Sequence, residues 1–120
     1  MARMARAILE EARIHPAIRE RVTRSHASIV REVEEAIASH DVVVVGMAMN
    51  PFPIRARLLL KRAGIPYKYL QYGSYLSTWR RRNALKMWTG WPTFPMVFVK
   101  GVLVGGANEL RKLVESGELR

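Results

Sequence analysis

The residues whose types and spacing could serve chemistry fall in three short stretches. The first is Asn50-Pro51-Phe52-Pro53. Asparagine is a good helix N-cap and proline a good first helical residue, so this stretch places a polar side chain before the unpaired amides and positive end of a helix. The second is Thr93-Phe94-Pro95. Its proline pushes Phe94 into an extended conformation. The third, Gly105-Gly106, lets the backbone take positive φ or approach a ligand closely before a last helix.

Most of the usual reacting groups are missing. The chain has no cysteine, which removes disulfides, thiolate nucleophiles, thiol–disulfide exchange and cysteinyl metal sites together. His15, His26 and His40 all lie in the N-terminal third at spacings that form no metal motif, so surface or packing roles suit them better. Asp41 is the only acid between Glu35 and Glu109, and no carboxylate pair for acid–base work is evident. There is no phosphate-binding loop. The thioethers of Met47, Met49 and Met96 are soft enough for Cu(I), but methionine is far commoner as a filler of irregular cores.

The elements that must position these stretches follow from apolar periodicity. Residues 1–22 read as Arg-rich helix, with Pro16 opening a second short helix after His15 and Ile8, Leu9 and Ala12 as a modest stripe. Ser25 or Ser28 can cap a helix that buries Ile29, Val33, Ala36 and Ile37 and ends near His40. The run 42–45 is four valines, the pattern of a central strand covered on both faces. After Asn50 comes a helix with Phe52, Ala56, Leu59, Leu60 and Ala63 on one face, ended by Gly64, and then a strand at 67–71. Such a βαβ unit crosses over right-handedly into a parallel pair. A third helix is expected at 75–87, with Trp79, Leu85 and Trp88 inward and Arg80-Arg81-Arg82 as a basic cluster. Strands at 96–99 and 102–104 form a hairpin about Lys100-Gly101. Asn108 can cap a last helix that buries Leu110, Leu113 and Val114 and stops at Gly117.

At 120 residues the chain has room for one core. We divide it into a helical extension, 1–24, and a domain, 25–120. No apolar run approaches the roughly 20 residues that span a bilayer. Residues 1–20 lack the apolar core of a secretory signal and contain Glu10-Glu11, so a cytoplasmic location is expected. The net charge of +10 is uneven: residues 1–40 carry seven Arg against six Glu, and 41–120 carry thirteen Lys and Arg against four acids. A surface of that kind favours anions, among them nucleic acid, acidic proteins and small carboxylates.

Trp-Pro-Thr-Phe-Pro at 91–95, the strand after it, the Lys-Gly turn and the Gly-Gly before the last helix together resemble the C-terminal half of a glutaredoxin, closest to the monothiol branch. The resemblance covers about residues 25–119. It implies a thioredoxin-like α/β fold in its glutaredoxin form, a mixed four-stranded sheet flanked by helices. It also implies a cis peptide bond before Pro95 and a glutathione groove drawn from Met49, Asn50, Phe52, Arg82, Thr93, Phe94, Pro95, Gly105, Gly106 and Asn108. The centre of the pattern is overwritten, since Asn50 stands where the family has its attacking cysteine and Pro53 where it has the resolving cysteine or serine. Met47 or a neighbour stands where dithiol members have a lysine. Asn108 stands where the family has an acid that meets the glutathione ammonium. Arg82-Asn83-Ala84-Leu85-Lys86 is similar to the family's Arg-x-x-Leu-Lys, whose arginine can pair with a glutathione carboxylate through its planar fork.

Two readings of function follow. In one, the chain is a glutaredoxin-like binding module for glutathione or an extended peptide, with no catalytic residue, no thiol–disulfide activity and no required cofactor. In the other, Arg80-Arg81-Arg82 and the Arg-rich extension meet nucleic acid or an acidic protein. The sequence does not set the oligomeric state.

Overall fold

The computed structural model describes residues 6–24, 27–74 and 79–119. Four strands, β1 (Val42–Gly46), β2 (Lys68–Gln71), β3 (Met96–Val99) and β4 (Val102–Gly105), form one sheet in the order β2-β1-β3-β4. β1 pairs in parallel with β2, placing Val44 opposite Tyr69, and antiparallel with β3, placing Val44 opposite Val97. β3 and β4 are an antiparallel hairpin with a register shift at Val97 and Phe98. Lys100 and Gly101 turn it with φ of 49° and 81°. Two consecutive positive φ values are what a two-residue turn needs to match the right-handed twist of its strands.

Every residue of β1 is buried, which explains its unbroken valines. The period of two sorts their side chains between the two faces of the sheet. Val43, Val45, Met96 and Phe98 pack with Ile29, Val33 and Ala36 of α2 (Ala27–Ser39) and with Ala84 and Leu85 of α4 (Trp79–Thr89). Val42, Val44 and Val97 pack with Ala56 and Leu60 of α3 (Pro51–Arg62) and with Leu110 of α5 (Ala107–Ser116). The result is a three-layer α/β/α domain. The ends of α3 and α5 and the turn before β3 meet at one edge of it.

Several details differ from the periodicity argument. Between residue 6 and α1 (Pro16–Arg24) the chain is mostly non-helical, with one 3₁₀ turn, Glu11–Arg13. α1 buries nothing and Ile8 and Leu9 are exposed, so their stripe does not pack on the domain. The described tether of this segment is Arg6, whose guanidinium donates to the Trp88 carbonyl at 3.3 Å. Ser25 lies outside the described residues, as do 75–78, where the third helix was expected to begin, and the Trp79 side chain. In α3 the inward face is Pro53, Ala56 and Leu60, whereas Phe52 is 45% exposed. α5 is capped by Gly106 rather than Asn108: the Gly106 amide donates to the Glu109 carboxylate at 2.9 Å, and Asn108 is the second helical residue. Glu109 reaches back far enough for this and Asn108 does not need to. Gly117 ends α5 with φ of 79°, the left-handed conformation open to glycine.

Candidate functional site

The first wall of the site is the start of α3. Met49 has φ of 63° and is 71% exposed, which turns the chain so that the next residue, Asn50, is buried. Asn50 is extended, and its Oδ1 accepts the Phe52 amide at 3.0 Å. Pro51 and Pro53 have no N–H to offer. Of the first three helical positions only Phe52 therefore has an amide hydrogen, and Asn50 already holds it. Pro53 is wholly buried against the end of β1. A Cβ at Gly46 would lie 2.7 Å from the Pro53 Cβ and 2.9 Å from the Tyr69 hydroxyl, so glycine there is a packing requirement.

The second wall is the segment between α4 and β3. The Thr89 hydroxyl donates to the Leu85 carbonyl at 2.8 Å and accepts the Trp91 amide at 3.1 Å, which ties the exit of α4. The Phe94–Pro95 peptide bond is cis. Phe94 and Pro95 are buried and Thr93 is exposed beside them. The Lys86 ammonium sits 5.8 Å from the centre of the Phe94 ring.

The third wall is the turn from β4 into α5. Gly105 has φ of 121°, and a Cβ there would lie 2.7 Å from the Glu109 Cγ. A Cβ at Gly106 would lie 3.4 Å from the Pro95 carbonyl oxygen and 3.6 Å from the Trp91 Nε1. The indole N–H of Trp91 is buried there with no acceptor among the described residues.

These walls enclose a cavity of about 450 Å³ lined by Asn50, Phe52, Thr93, Phe94, Pro95, Gly106 and Asn108, together with Met47, Lys86, Trp91 and Glu109. Seven of the ten residues expected from sequence thus meet there. Gly105 lies one residue behind the lining, Met49 points to solvent, and Arg82 is elsewhere. Arg82 is 6% exposed and donates to the Tyr72 carbonyl at 3.2 Å. Lys86, one turn further along α4, is the cation that lines the cavity. It stood in the Arg-x-x-Leu-Lys segment, but periodicity alone did not say which of its two cations would face the groove.

No sulfhydryl exists, the lone carboxylate of the lining holds the Gly106 amide, and Asn50 is neutral. The three thioethers have separate settings: Met47 is buried at the cavity wall, the Met96 sulfur lies 3.5 Å from the Thr89 hydroxyl, and Met49 is exposed. Among the described residues no three His, Asp or Glu side chains gather as a metal site, and no helix is long and apolar enough to cross a membrane.

Away from the cavity two tyrosines are perturbed. The Tyr72 hydroxyl donates to Glu32 at 2.9 Å, and its pKa is pushed well above the phenol range by burial first and then by that bond and the glutamate charge. Arg81 opposes this. Tyr69 is raised by burial, with Arg57 opposing from 4.0 Å over its ring. The Arg80-Arg81-Arg82 cluster does not form one basic face. Arg80 is exposed, Arg81 lies 3.6 Å from Glu32, and Arg82 is inside.

A sequence model described as Glutaredoxin matches residues 42–104. A glutaredoxin-like protein of Dictyostelium discoideum is 45% identical over 98 residues, which cover 82% of this chain and 80% of that protein. Glutaredoxin-C6 of Oryza sativa subsp. japonica is 31% identical over 88 residues, 73% of this chain and 79% of the relative. Among solved structures, the holo form of glutaredoxin C1 from Populus tremula x tremuloides superposes with a TM-score of 0.67 at 26% identity, over 80% of this chain and 86% of that one. A buckwheat glutaredoxin–glutathione complex superposes with the same TM-score of 0.67 at 21% identity, over 79% and 86% of the two chains.

Proposed function

The chain belongs to the glutaredoxin family and has its thioredoxin-like fold, and from that premise we propose that it is a binding module for glutathione or a short extended peptide, without thiol–disulfide exchange. The observation that carries this reading is the cavity beside the cis Phe94–Pro95 bond, which keeps Thr93, Pro95 and Gly106 in its lining while Asn50 closes the start of α3. Glutathione has two carboxylates and one ammonium. Lys86 supplies one cation for the former, and the one carboxylate in the lining, Glu109, is shared with the Gly106 amide that it accepts. Binding is therefore weak, in the millimolar range, roughly 4 kcal/mol. A distant relative from buckwheat is known in complex with glutathione, which supports the choice of ligand.

Exchange proceeds by attack of a thiolate on a disulfide sulfur, and this chain has no thiol with which to attack. The experiment is a titration with glutathione to tens of millimolar, read by NMR. The amides of Thr93 and Gly106 and the indole of Trp91 should shift together. Amides left unmoved at saturating ligand would remove the reading.

A further inference from the structure

Beyond Phe52, α3 and α5 run side by side, and between them lies a second depression of about 250 Å³ that shares Phe52, Ala107 and Asn108 with the first. Its floor includes Leu58 and Leu59, and around it stand Arg55, Arg62 and Arg111. All three arginines are exposed. Among the described residues no carboxylate pairs with Arg55 or Arg62, and Arg111 approaches Glu115 only to 4.0 Å, between two largely exposed side chains. α3 carries Arg55, Arg57, Lys61 and Arg62 and no acid at all. Like charges gathered around an apolar floor repel one another, and an anion placed among them relieves that repulsion.

We propose that this depression between α3 and α5 docks an acidic segment of a partner protein, bound extended, with its carboxylates on Arg55, Arg62 and Arg111 and its apolar side chains on Leu58 and Leu59. Arg55 and Arg62 are seven residues apart on α3, about 10 Å along the helix axis. A polyproline-type extended chain has three residues per turn and rises about 3.1 Å per residue, so it repeats about every 9 Å. An apolar residue at every third position faces the floor, and the two acids between face the arginines on either side. Guanidinium groups suit this partner because their planar forks match carboxylates. Single-stranded nucleic acid fits less well, because it needs rings on which bases stack. Among the described residues the only ring in its lining is Phe52, and the Arg55 guanidinium already lies over it at 5.2 Å.

The test uses the full chain and a fluorescein-labelled nonapeptide of three Glu-Glu-Leu repeats, followed by anisotropy at low salt. Saturable binding is expected, with amide shifts at Leu58, Leu59 and Arg62, and the peptide with glutamine in place of glutamate should bind at least about tenfold more weakly. The double variant Arg62→Gln, Arg111→Gln should lose at least about fivefold, and lysine at both positions should restore most of it. Both residues are exposed, and circular dichroism checks that the variants fold. Equal binding of the glutamine peptide, unchanged binding by the double variant, or displacement of the peptide by a lower concentration of oligothymidylate would each overturn the proposal. It stands apart from the glutathione reading, because neither Arg62 nor Arg111 lines the first cavity.

Discussion

Position 50 shows how much a helix terminus depends on which amides it has. A thiol placed there by Asn50→Cys would meet the Phe52 N–H but no hydrogen at Pro51 or Pro53. Cysteines at well-furnished helix N-termini or beside cations fall from about 8.5 into the range of roughly 3.5 to 7.5. With a single donor, we predict a pKa below the free value but above about 7. The pH dependence of iodoacetamide alkylation measures it, with the parent as a cysteine-free blank. Adding Pro53→Ala returns an amide at the third helical position, one that an N-cap side chain can use, and the pKa should fall further. A double variant that titrates no lower than the single one would contradict this account. Tyr72 gives a second prediction. Its folded pKa lies above that of the unfolded phenol, so the native state keeps a proton that the unfolded chain releases. The stabilisation is complete below about pH 10 and is lost as pH rises further. Tyr72→Phe should therefore flatten the alkaline fall in stability that urea unfolding measures above about pH 10, the free phenol pKa.

At the scale of elements, the turn from β4 to α5 has the least tolerance. Gly105 combines a left-handed φ of 121° with contact against Glu109, the side chain that caps α5. Gly105→Ala should cost about 1–3 kcal/mol in chemical denaturation and displace the Glu109 cap. By comparison Asn50→Ala should cost about 1 kcal/mol, the usual value of a lost N-cap. The main elements were legible because their patterns are strong: four valines for a strand covered on both faces, and Lys-Gly for a hairpin. The phase of α3 was not, because two prolines and a phenylalanine crowd its start. Choosing Phe52 as inward looked natural by hydrophobicity, but Pro53 fills the space that Gly46 leaves. The cap of α5 was misplaced for a related reason: a side chain that returns from the third helical position looks in sequence like any other glutamate. In the same way nothing in Arg82-Asn83-Ala84-Leu85-Lys86 indicates that Arg82 turns inward to the Tyr72 carbonyl and Lys86 outward to the groove.

For the molecule as a whole, the buried core among the described residues begins at Ile29, and α1 contributes no buried residue to it. Removing residues 1–24 should lower the unfolding free energy by less than about 1 kcal/mol, because exposed contacts such as that of Arg6 contribute little. A larger loss would mean that the N-terminal segment is part of the domain. The pure protein should also show no turnover above background in a glutathione-coupled mixed-disulfide assay, since every thiol would have to come from the reagents. The donor-poor start of α3 has a consequence in genetic terms. A codon change that put cysteine at position 50 would supply a thiol that meets a single helix amide, that of Phe52, because Pro51 and Pro53 would still withhold theirs. A second donor for that thiol requires a further change at Pro53, whose ring is packed against Gly46. A strongly acidic thiol at this helix start is therefore two substitutions away rather than one.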